Sequence, residues 1–199
     1  MKTIFKVFIF IFLISCSNKG TDKFKYFDCI NYENEDCMES EKTLKSLNKE
    51  ELMAYETAVN FYLWYCSVRS ELNQDGLVIY DDSLKYYTIS HSHLDYYLNK
   101  FTKSEIVSES FIIKLKNVID EYESYLESEK FSSGEEMVGF EGDIILNSQD
   151  PYCDINKEGF EVSSISVFKN KIEISFLIPG IVVELVKGSD KKWEISSII

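Results

Sequence analysis

Arginine is nearly absent: the chain carries one, Arg69, against 34 carboxylates, and its formal charge is -13. A binder of phosphate backbones needs a basic stripe, so this composition excludes nucleic acid as a partner. The same acidity works against broad adhesion to anionic lipid heads. A long apolar run is lacking as well; the one at the start ends at Cys16, short of the about 20 residues a membrane-spanning helix needs. Signatures of chemistry are missing too: no Cys-x-x-Cys pair to hold zinc, no Gly-rich phosphate loop, no nucleophile elbow and no Ser-His-Asp arrangement. The chain thus declares no reaction, no catalytic residues, no metal and no cofactor.

What is present begins at Met1. Lys2 and Lys6 form a positive head, Val7 to Ile14 an apolar core, and Ser15 is the small residue a signal peptidase requires before its cut. Leu13-Ile14-Ser15-Cys16 resembles the lipobox of bacterial lipoproteins. That resemblance implies cleavage after residue 15 and acylation of Cys16. Each buried methylene is worth about 0.8 kcal/mol, so several acyl chains on one cysteine hold a protein at a membrane without a span. Ser17 after the lipidated cysteine implies, by the family's sorting rule, an outer-membrane anchor, and the absence of an acidic run after Cys16 favours an anchor facing the periplasm.

Removing residues 1–15 takes away Lys2 and Lys6 and no acid, moving the formal charge from -13 to -15. With Cys16 assigned to lipid, Cys29, Cys37, Cys66 and Cys153 remain, an even set that an oxidising compartment turns into disulfides. Three pairings are open; Cys29–Cys37 with Cys66–Cys153 is favoured, one closing a short loop and the other tying a helix to a distant segment. Residues 16–47 read as a lipidated N-terminus and polar tether, although Phe24, Tyr26 and Phe27 give it groups able to dock, and residues 48–199 read as one domain.

Within that domain Asn48 and Glu51 form a capping-box pattern before a helix over 49–72, whose apolar surface is wider than one stripe. Shorter helices are expected over 82–88 and 93–101. A longer one is expected from a cap at Thr102 to about residue 130, with Phe111, Leu115, Val118, Tyr122 and Tyr125 at helical spacing. From residue 137 the period changes to two, predicting strands over 138–146, 162–169, 171–178, 181–187 and 193–198. Short turns between them make an antiparallel meander. The class is α+β: N-terminal helices packed on a curved antiparallel C-terminal sheet.

The aromatic helix with Phe61-Tyr62-Leu63-Trp64-Tyr65, the small helices and a meander closing on Lys192-Trp193-Glu194-Ile195 resemble the cone-shaped nuclear transport factor-like, or SnoaL-like, fold, cystatin-like in outline. More narrowly, the stretch from Asp143 through Leu146, Gln149, Asp150 and Pro151 resembles the Asp-x-x-Leu-x-x-Gln-Asp segment of the YbjP/YqhG-like group of bacterial envelope proteins. This resemblance implies fold more than activity, because the scaffold hosts isomerases, dehydratases and pure binding modules alike.

Tyr62, Tyr65, Asp143, Gln149 and Asp150 are the candidate pocket residues. Asp143 is the group able to serve as a general base, set against a structural role for such residues in Asx turns. His91, Ser92 and His93 with Asp95 read as a solvated helix start rather than a metal site. The expectation is a non-enzymatic, lipid-anchored envelope module that binds a periplasmic protein partner or small ligand. An immunity or inhibitor lipoprotein against a secreted toxin, and an isomerase or dehydratase using Asp143, are the alternatives.

Overall fold

The computed structural model describes residues 23–29, 37–134, 139–140, 142–146, 148 and 151–199. Cys16, Gln149 and Asp150, and with them the acylation site and two of the pocket candidates, lie outside the described residues.

The helix following Asn48 forms as its capping pattern predicts. In α1 (Lys49–Leu72) the Asn48 side chain accepts from the Glu50 and Glu51 amides at 2.9 and 3.0 Å, and Glu51 reaches back to the Asn48 amide at 2.9 Å. Its buried residues include Ala54, Tyr55, Ala58, Val59, Phe61, Tyr62, Tyr65 and Leu72, so two adjoining faces are covered. Asn73 ends it in the left-handed conformation, φ 48°.

The next stretch departs from expectation. Residues 78–89 form a hairpin, β3 (Val78–Asp81) and β4 (Tyr86–Ile89), where a helix over 82–88 was predicted. Asp81 explains the turn: its carboxylate accepts from the Ser83 and Leu84 amides, a local bond pattern that competes with helix. α2 (His91–Ser104) then runs past Thr102, whose hydroxyl bonds back to Leu98 O within the helix instead of capping a new one. The cap of α3 (Glu109–Glu129) is Ser108, six residues later, with Oγ accepting from the Phe111 amide. Phe111, Leu115, Ile119 and Leu126 form the buried stripe of α3, leaving Val118 and Tyr125 about half exposed.

The C-terminal meander follows the predicted alternation: β5 (Glu161–Val167), β6 (Lys171–Ile178), β7 (Val182–Lys187) and β8 (Trp193–Ile198), each antiparallel to the next. Ile172, Ile174, Phe176, Val183 and Leu185 point to the buried side, beneath α1, while α3 packs on β8. No strand forms over 138–146 among the described residues; Asp143 makes an isolated bridge to Ser148, and residues 144–146 turn.

The largest correction concerns the expected tether. Phe24–Cys29 (β1) and Cys37–Lys42 (β2) pair antiparallel and extend the sheet to six strands in the order β2-β1-β5-β6-β7-β8, with β1 parallel to β5. Phe24 and Tyr26 are buried while Lys25 between them is exposed, the alternation of a half-buried strand. A buried carboxylate holds this hairpin on the domain. Glu51, 4% exposed, accepts from Tyr26 Oη at 2.6 Å and from Lys42 Nζ at 3.3 Å. The protein is thus α+β, with helices on one face of a mostly antiparallel sheet and a polar N-terminal stretch woven into its edge.

Candidate functional site

The last three turns of α1 and its C-cap present Tyr62, Tyr65 or Cys66, Arg69 and Asn73 at steps of three and four, hence toward one side of the helix. The loop leading to β5 is fastened along that side. Tyr62 Oη donates to Tyr152 O at 3.0 Å, and Cys66 is bonded to Cys153. Gln74, just past the helix, donates to Gly142 O at 2.7 Å and accepts from the Ile144 amide at 2.9 Å, so one side chain satisfies two backbone groups of the loop. The other disulfide joins Cys29 to Cys37 across the β1–β2 hairpin, so both bridges of the favoured pairing form.

Asp143 sits where these anchors meet, its side chain 1% exposed. Oδ1 accepts from the Ile145 and Leu146 amides at 3.0 and 2.9 Å, an Asx turn. Oδ2 accepts from Tyr65 Oη at 2.7 Å and Arg69 Nε at 2.8 Å. A carboxylate offers about four acceptor positions, and all are taken. The charge in turn shapes its neighbours. Burial first, then Tyr97 and the Asp143 carboxylate, hold the Tyr65 hydroxyl far above the ordinary tyrosine value. Burial followed by the charge of Asp143 pushes Tyr62 up to about 12. The hydrogen bond to Asp143 raises Arg69 further still.

On the solvent side lies an open cleft of about 460 Å³. Arg69, Ser70, Asn73 and Asp75 from the end of α1 and just past it line it together with Phe140 and Gly142 of the loop and the bridged Cys66 and Cys153. Of the candidates from sequence, Tyr65 and Asp143 come together directly. Tyr62 stands beside them as an anchor of the loop. The partner that sequence reasoning missed is Arg69. Its signal was available: the sole arginine of an acidic chain, four residues after Tyr65 on a helix.

The histidines part company. His91 pairs with Glu123 of α3 at 3.1 Å, while His93 Nε2 lies 3.0 and 2.9 Å from the carbonyls of Leu72 and Asn73, closing the end of α1. Among the described residues no group of three His, Cys, Asp or Glu is gathered to hold a metal ion, and no helix is long and apolar enough to cross a membrane.

Comparison of the chain with protein-family models, with curated proteins and with solved structures finds no match.

Proposed function

We propose that this protein is a lipid-anchored module of the bacterial cell envelope, attached through Cys16 to the outer membrane and facing the periplasm, whose domain binds a ligand or protein partner without transforming it. A cone-type domain of the nuclear transport factor-like kind, as in the YbjP/YqhG-like envelope proteins, is the finer fold that goes with this reading.

The observation that carries it is the state of Asp143. A general base needs a free lone pair aimed at substrate, and four accepted hydrogen bonds leave this carboxylate none. Its work is to shape the loop that walls the cleft. The two disulfides support an oxidising compartment, and the signal-like opening supports the lipid anchor.

Metabolic labelling with palmitate tests the anchor: label on the wild-type chain and none on Cys16→Ala, with release of that variant from the membrane fraction, is the expected result. In-cell crosslinking then tests the binding role. Turnover of an envelope metabolite by the purified domain, abolished by a well-folded Asp143→Asn, would favour the isomerase or dehydratase reading instead.

A further inference from the structure

We propose that the cleft between the end of α1 and Phe140 binds an uncharged carbohydrate of one or two rings, an assignment that rests on the binding-module reading above and names its ligand class. Small-ligand sites occupy about 300–1,000 Å³, and this cleft, at about 460 Å³, falls in that range.

Charge narrows the choice. Arg69, Asp75 and Asp143 line the cleft and together leave one negative charge, on a chain of formal charge -13. A phosphorylated or carboxylated ligand would be repelled. Among the described residues of the cleft a cation would find only Asp75, because the acceptor positions of Asp143 are already filled.

What the lining offers is a set of planar polar groups together with an aromatic ring. Arg69 spends its Nε on Asp143 yet keeps a side chain 45% exposed in the cleft, a source of further donors. Asn73 supplies an amide that both donates and accepts, and Asp75 an accepting carboxylate. Hydroxyl groups, which also donate and accept, match such a mixed set. Phe140 complements them. It lines the cleft and is backed by Tyr122, ring centroids 4.5 Å apart, while Tyr122 Oη bonds both the N–H and the C=O of Gly139. An aromatic ring held in this way is a platform for the apolar face of a sugar ring.

The groups are also fixed in advance, which lowers the cost of ordering them on binding. Gln74 is held at both ends by the loop, and the Cys66–Cys153 bridge closes the base of the wall. The amide of Asn73 lies where a side chain on Gly76 would be: a Cβ there would come within 2.7 Å of Asn73 Nδ2. Gly76→Ala therefore displaces the amide from outside the cleft.

The test is a titration of the isotope-labelled domain, followed by amide NMR, with the β-1,4-linked dimer of N-acetylglucosamine, maltose, citrate and inorganic phosphate. Saturable shifts with at least one sugar, clustered near Arg69–Gly76 and Phe140–Asp143, are expected. Ser70→Trp, at an exposed site on the cleft, should weaken that binding by at least about tenfold with its melting temperature unchanged, and Gly76→Ala by less, with a small drop in melting temperature because its Cβ would also come within 3.2 Å of His93 Nε2. Sugar binding that survives both variants, or no sugar-induced shift at the cleft, overturns the proposal. Citrate or phosphate binding there in place of sugar overturns the carbohydrate assignment while leaving the binding-module reading intact; catalytic turnover of any sugar tested would overturn that reading itself.

Discussion

Arg69 Nε and Asp143 Oδ2 lie 2.8 Å apart although 74 residues separate them in the chain, and the two ends of the pair differ sharply in exposure. The carboxylate is buried and the guanidinium is half in water. Removing Arg69 thus strands a buried charge, whereas neutralising Asp143 frees an exposed cation and weakens the acceptor of the buried Tyr65 hydroxyl. Arg69→Ala is expected to cost about 2 kcal/mol in urea unfolding, below the 3–5 kcal/mol of a fully buried pair because water already screens the arginine. Asp143→Asn in the Arg69→Ala background should recover part of that loss. An Arg69→Ala protein as stable as wild type would show that the pair does not hold the loop.

The two disulfides should differ in worth. By chain entropy the Cys66–Cys153 bridge, spanning 87 residues, contributes about 4.5 kcal/mol, and the Cys29–Cys37 bridge, spanning 8, about 2.5 kcal/mol. Paired alanine replacements of each bridge, compared by chemical denaturation, are expected to preserve that order. Loss of Cys66–Cys153 should also raise hydrogen exchange in the loop around Asp143, because that bridge is one of its fastenings to α1.

Glu51 joins three elements, and its replacement should reveal the join. Glu51→Ala removes acceptors from Tyr26 Oη, Lys42 Nζ and the Asn48 amide together. A loss of about 3 kcal/mol is expected, most of it from the cap and the unpaired buried Tyr26 hydroxyl, with less from Lys42, whose side chain keeps contact with water. Exchange of the β1 and β2 amides should accelerate more than that of β6 and β7, since the hairpin then keeps its pairing to β5 and the burial of Phe24 and Tyr26 but loses its polar tie to α1.

Alkaline pH should unfold the domain through its tyrosines. Tyr26, Tyr55, Tyr62, Tyr65 and Tyr97 all have hydroxyls raised by burial first, with Tyr62 at about 12. A group whose proton is held more tightly in the folded state adds stability that is complete below its unfolded value, about 10, and is lost as pH climbs through the folded one. Stability should therefore be flat from neutral pH to about 9 on this account and fall steeply above about 10. Tyrosinate absorbance should rise in two phases, exposed rings first and the buried set only with unfolding. A single smooth titration of every tyrosine would contradict the buried network.

Local patterns were legible in the sequence wherever they are self-contained. Asn48 and Glu51 announce α1 because a capping box is closed within four residues, and the alternation of Ile172, Ile174 and Phe176 announces β6 because a strand buries every second side chain. Where two local bond patterns compete, propensity alone misled. Thr102 resembles a cap but bonds back into α2, and Asp81 bends a hairpin where helix was expected. From sequence Asp143 reads as base or turn former, and the Asx turn it forms is of this local kind; what commits its other oxygen is not.

Composition and local periodicity alone determined the α+β class, the wide burial of α1 and the order of the meander. Tertiary structure alone decided that Phe24–Cys29 leaves the expected tether to lie parallel to β5, because such pairing joins strands more than a hundred residues apart and has no turn of its own to signal it. It likewise decided that Arg69 meets Asp143. A charge is buried only when some distant partner satisfies it, and which partner arrives is settled by how helix and loop pack, not by any spacing along the chain.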